Sequence, residues 1–163
     1  MELTFYTCAL VALASALRCV THTNPVHSLL YLVVLLLAVA GIFFAIGAPF
    51  AGALEVIVYA GAIMVLFVFV VMMLSLGAET AAQERAWLRP RTWIGPAILA
   101  AVMLASLVSG ILNAPGLTGT ATVDAKQVGI ALFGPYLLAV ELASLMLLGA
   151  LVAAYHLGRE ETR

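Results

Sequence analysis

Two carboxylates stand in sequence that is otherwise apolar. Glu55 opens GALEVIVYAGAIMVLFVFVVMMLSL, residues 52–76, and Glu141 lies inside LLAVELASLMLLGALV, residues 137–152. An unpaired carboxylate in such surroundings costs at least a few kcal/mol, so it is protonated, hydrogen-bonded, or turned to water or a partner charge. The chemistry open to such groups is proton relay, either as carriers or as the hydrogen-bonded wall of a path. Tyr59 comes one helical turn after Glu55 and shares its face at about 100° per residue. Ala60-Gly61-Ala62 follows, so a polar seam enters an apolar stretch and ends at a patch with almost no side chain.

A structural reading stands beside the functional one. Gly61 also suits close packing of another helix, and Glu55 also suits the headgroup region. Glu141 is equally satisfied as a neutral acid bonded to a backbone carbonyl or to Ser144 one turn on, and Tyr59 and Tyr136 support either version. What a plain spanning helix does not need is the combination at 55–62. Val56, Ile57, Val58 and Gly61 are below-average helix formers, so a π-bulge costs less here than elsewhere.

The elements that position these residues follow from composition. Of 163 residues 65% are hydrophobic and 9% charged, with a mean hydropathy of +1.18. A soluble domain of this size cannot hide so much apolar surface, and the apolar runs are continuous rather than alternating, which excludes a barrel. The fold class is all-α: a polytopic membrane protein, one membrane domain over 1–163, with five transmembrane helices and a π-bulge expected in the third. The N-terminus lacks a basic region before its apolar run, so it reads as a retained first span rather than a signal peptide.

The spans are expected at about 3–20, 26–46, 53–76, 93–112 and 135–156. Asn24-Pro25 opens the second, with proline in its first turn. His22 and His27 flank that proline and read as turn residues at the interface rather than as ligands on one face. Gly47-Ala48-Pro49 closes the second span and makes a very short hairpin to the third. A charged loop, 77–92, carries Trp87 and leads to Trp93, an interfacial aromatic pair. Gly95-Pro96 opens span four. A Gly/Thr-rich loop at 113–127 reads as irregular. The apolar run from Val128 to Leu157 is too long for one upright helix, so Gly134-Pro135 is expected to break it, leaving Val128–Phe133 as a short interfacial piece. His156 reads as an interfacial residue at the end of span five.

Arg18, Arg85, Arg89, Arg91, Arg159 and Arg163 fall on one side of a five-span arrangement and Lys126 alone on the other. That bias places the N-terminus and the 113–127 loop outside, and the 77–92 loop and C-terminus in the cytoplasm. No basic residue is embedded with the two carboxylates, so a counter-charge has to come from another polypeptide. Cys8 and Cys19 are about 16 Å apart along one helix, too far for a bridge, and read as small apolar side chains. There is no CxxC pair, phosphate loop or metal-spaced His/Cys cluster. An odd span number without an inverted repeat weighs against a free-standing proton- or cation-coupled transporter; a structural adaptor remains open.

NPVHSLLYL in span two, GALEVIVYAGAIMVLFVFVVMM in span three and LFGPYLLAVELASLMLLGALV in span five resemble the NuoJ-type membrane subunits of the proton-pumping NADH:quinone oxidoreductase, respiratory complex I. WIGPAIL and HLGRE are similar to the proteobacterial form. The resemblance implies a non-redox subunit in the bacterial inner membrane beside NuoA-, NuoH-, NuoK- and NuoN-like subunits. FMN, iron–sulfur clusters and quinone would be held elsewhere in the complex. It also implies that span three switches between a π-bulged and a regular helix, making or breaking a water path. Carried over, the switch falls on Tyr59, Ala60, Gly61, Met64, Val65 and Phe67, with Glu55 and Glu141 matching acidic positions and Pro135 marking the helix break.

Overall fold

The computed structural model describes residues 2–22, 25–74, 90–112 and 122–159, with backbone only at 72, 74 and 90–92. The expected loop at 77–92, with Arg85, Trp87 and Arg89, falls almost entirely outside those residues, as do 113–121 and Arg163. Among the described residues there is no strand. The helices are α1 Glu2–Thr21, α2 Pro25–Ala45, α3 Pro49–Leu54, a π-helical segment Glu55–Ile63, α4 Met64–Leu74, α5 Pro90–Leu112, α6 Ala125–Leu132 and α7 Leu137–Gly158. Five stretches are long and apolar enough to cross a bilayer: Glu2–Thr21, Pro25–Ala45, Pro49–Val71, Trp93–Leu112 and Leu137–Gly158. α3, the π segment and α4 together make the third span.

Two helix starts lie earlier than the sequence suggests. The third span begins at Pro49 rather than near 53. The fourth keeps its expected bounds, Trp93–Leu112, but its helix, α5, starts at Pro90 and carries Pro96, expected to open the span, in its interior. A proline at the first helical position gives up no intrahelical bond, so it opens a helix instead of only ending one. The turn before Pro49 is a Schellman motif. Gly47 takes the left-handed conformation at φ 82°, Ala48 N–H donates to Phe43 O at 2.9 Å, and Gly47 N–H donates to Phe44 O at 3.3 Å. That geometry closes α2 and reverses the chain within three residues.

Contacts divide the chain into two compact units, Met1–Thr122 and Val123–Arg163. In the first, α1, α2 and α5 pack around Cys8, Val11, Ala12, Val34, Ala38 and Met103. Close contacts set the directions. Cys8, early in α1, meets Gly41, late in α2, so these two are antiparallel. Thr4 lies on Gly110 and Tyr31 on Gly95, so α5 runs against α1 and with α2. Side chains at 41, 95 and 110 would collide with these neighbours, which is why small residues sit at the helix crossings. Ser106 Oγ and Thr7 Oγ1 are 2.7 Å apart across the α1–α5 contact. Thr7 Oγ1 also donates to Thr4 O at 3.0 Å. The third span leans on α2.

In the second unit Asp124 Oδ1 accepts from Ala125 N–H at 2.8 Å and caps α6. The expected irregular loop therefore ends at Asp124, and Lys126 lies in a helix. Residues 133–136 form the turn, with Tyr136 N–H donating to Ala131 O at 3.1 Å, and α7 follows. Pro135 sits in this turn, where its missing N–H breaks no ladder. Every described residue of α7 except the half-buried Val140 is exposed within the unit.

Candidate functional site

The sequence-singled residues of span three fall on one continuous piece of unusual helix. Glu55 is the first residue of the π segment and Ile63 the last, a length of nine residues. Glu55 N–H still reaches back to Ala51 O and Gly52 O. By Met64 the N–H points to Tyr59 O and Gly61 O. The bond from 64 to 59 spans five residues, the wide register that α-helices admit only as local bulges. Three β-branched residues in a row, Val56, Ile57 and Val58, crowd an α-turn and lower the cost of leaving it.

Gly61 belongs to this geometry. A Cβ built on it would come within 3.2 Å of Val56 O, five residues back. In the wide register that carbonyl turns toward residue 61, so a hydrogen is tolerated there more easily than a methyl. Glycine thus permits the π form, and the contact that a side chain here would disturb lies within the helix itself.

Burial along the segment is low. No π residue is buried; Glu55, Ala60 and Gly61 are half-buried, and Tyr59 is 51% exposed. Val65 and Phe67 point outward at 67% and 53% exposure, whereas Met64 just before them is only 4% exposed. The Glu55 carboxylate has no ion pair or hydrogen bond among the described residues. Glu55, Tyr59, Gly61, Met64, Val65 and Phe67 are therefore assembled on one span.

Glu141 lies in the second unit, exposed on α7. Its expected bond to Ser144 takes a different form: Ser144 Oγ donates to the main-chain carbonyl of Glu141 at 2.7 Å. That is the i−3 bond serine commonly makes within helices, and it leaves the carboxylate outside the pair.

Two features escaped the sequence reading. His22 and His27 do come together across the α1–α2 turn, with ring centroids 4.9 Å apart and nearly perpendicular. His22 also stacks near Tyr31, at 6.4 Å, while Ser28 Oγ donates to His22 O at 3.2 Å. The helix direction after Pro25 creates this cluster, and spacing alone gives no sign of it. The Thr7–Ser106 contact joins residues about a hundred apart and has no local signal at all. Among the described residues no group of three or more His, Cys, Asp or Glu is placed to hold a metal ion.

Residues 15–157 match the family described as NADH-ubiquinone/plastoquinone oxidoreductase chain 6. The chain belongs to this family. It is similar to NADH-quinone oxidoreductase subunit J of Escherichia coli K12, 64% identical over 163 residues, covering 99% of this chain and 88% of that relative. The subunit J of Pseudomonas aeruginosa PAO1 is 60% identical over 165 residues, covering 100% and 99%. That of Buchnera aphidicola from Schizaphis graminum is 51% identical over 162 residues, with 99% of both chains covered. The chain 6 family match takes in the whole third span and α7 up to Leu157, including both carboxylates.

Proposed function

We propose that this chain is a non-redox membrane-arm subunit of an NADH:quinone oxidoreductase, and that its third span is a conformational switch gating a water path that couples quinone reduction to proton translocation. Family membership and the subunit J relatives support the place in the complex. One observation carries the mechanism: the nine-residue π segment Glu55–Ile63, unburied and closed by the bond from Met64 to Tyr59.

The physics is a change of register. When the wide i→i−5 bonds revert to i→i−4, each residue released turns α4 against α3 by about 100°. Glu55 stays with α3 at the fixed end. Val65 and Phe67 swing with α4. In one register the bare patch Ala60-Gly61-Ala62 faces the polar seam and leaves room for water; in the other, Val65 and Phe67 fill that room. Glu55 and Tyr59 are the proton-path groups on this span, and Glu141 is the third on α7. Its carboxylate then pairs with a group of a neighbouring chain, a member of the NuoA-, NuoH-, NuoK- and NuoN-like set. FMN, iron–sulfur clusters and quinone are held by other subunits, and this chain supplies no redox site. The basic-residue bias supports a periplasmic N-terminus and a cytoplasmic C-terminus in the bacterial inner membrane.

The test is Gly61→Val in the assembled complex. Proton pumping driven by NADH oxidation should fall while the complex still forms and artificial electron acceptors are still reduced. Unchanged pumping would reduce the span to a structural adaptor between pump modules.

A further inference from the structure

Among the described side chains of the third span, only Gly52 and Met64 are buried. Gly52 lies against Phe44 and Ala40 O of α2; a Cβ there would come within 3.0 and 3.1 Å of them. Met64 is 4% exposed, while Ile63 before it and Val65 after it are 49% and 67% exposed. The span rests on α2 along its length, since α3, the π segment and α4 each touch that helix. Met64 is also the residue whose N–H closes the π segment onto Tyr59 O. The end of the wide register and the one withdrawn side chain beyond Gly52 are therefore the same residue.

We propose that Met64 is the latch of the register: seated against α2, it holds the third span in its π form and has to leave that seat whenever the register steps. This rests on the switch reading of the span and names the positioning residue that sets its balance. A one-residue step turns the helix by about 100° and presents Ile63 or Val65 in place of Met64. Both are β-branched and stiff at χ1. Methionine is unbranched, with three rotatable bonds, and fills an irregular gap that they cannot. The seat therefore discriminates between registers where the π segment itself, with no buried residue, does little. Gly52 is the opposite end of the device. With Phe44 and Ala40 packed against it, α3 cannot turn, and any step of register is delivered to α4.

The experiment reads the register directly in the intact complex. Spin labels carried by non-canonical amino acids at Leu13 on α1 and Phe69 on α4, both exposed, give a distance distribution by pulsed electron resonance. Wild type should show two populations whose ratio changes when quinone turnover is driven. Met64→Ile, which puts a β-branched residue in the seat in either register, should shift the ratio away from the π form by up to about tenfold. Met64→Leu, similar in volume and unbranched at Cβ, should restore it to within about twofold. If the isoleucine chain is not incorporated, Met64→Ala empties the seat and should shift the ratio in the same direction. Two populations with a ratio indifferent to these substitutions would overturn the latch and leave the switch standing. A single population in wild type under every condition would remove the switch, and the latch with it.

Discussion

The α1–α2–α5 bundle and the third span are built from the same apolar alphabet, yet only one of them is packed. In the bundle, glycines at 41, 95 and 110 bring helices close enough for Cys8, Tyr31 and Thr4 to touch the opposite backbone, and a hydroxyl pair, Thr7 and Ser106, ties α1 to α5. Among its described residues the third span offers α2 two buried ones and is otherwise half-buried or exposed. Hydrophobicity does not distinguish them, because lipid is as apolar as leucine and gives helices no reason to associate. Small residues and paired hydroxyls do. Under the proposed switch, the third span needs few such contacts, since each one would have to be broken at every step.

That contrast makes separable demands on mutants. The largest effect is expected at Gly95, where even a methyl would meet Tyr31 Oη. Gly95→Val should destabilise the bundle by about 1–3 kcal/mol, as overpacking does, and lower the amount of assembled complex seen on native gels. Coupling per assembled complex should be untouched. Gly61→Val should do the reverse, leaving assembly near normal while pumping per NADH falls by about tenfold, the equivalent of about 1.4 kcal/mol against the π form. Were the two variants to fail in the same way, the division into scaffold and moving part would collapse.

Smaller effects sharpen the same division. Glu141→Gln keeps the shape of α7 and removes only the charge, so pumping should drop by less than in Gly61→Val, with assembly retained; full activity would make Glu141 a structural acid. Thr7→Val deletes one side of the α1–α5 hydroxyl pair. Membrane hydrogen bonds of this kind contribute about 0.6 kcal/mol on average, so a slight fall in the thermal midpoint of the complex is expected, with no change in pumping.

Much of the fold could be read from breakers. Pro25, Gly47-Ala48-Pro49 and Gly134-Pro135 each mark a real change of element, because a missing N–H or a left-handed glycine acts locally. Pro49 was read only as closing the second span, hence the late placement of the third, and Pro96, read as opening span four, lies inside α5. The unusual turn was legible as a coincidence of Glu55, Tyr59, Gly61 and three β-branched residues. Its extent was not, since how far a π register runs depends on how the span meets α2, which touches the segment without burying any of it. The contacts of Tyr31 with Gly95, Thr7 with Ser106 and His22 with His27 were invisible for a related reason: each depends on how one helix is rotated against another.

The reversal at Gly47 has a bearing on how the chain reaches its bilayer. Ile46, Gly47 and Ala48 carry no charge, and the Schellman bonds already satisfy the main-chain groups at the end of α2. Drawing this corner through hydrocarbon therefore strips water from very little, so α2 and the following span can be threaded as a single helical hairpin during synthesis, with the corner leading.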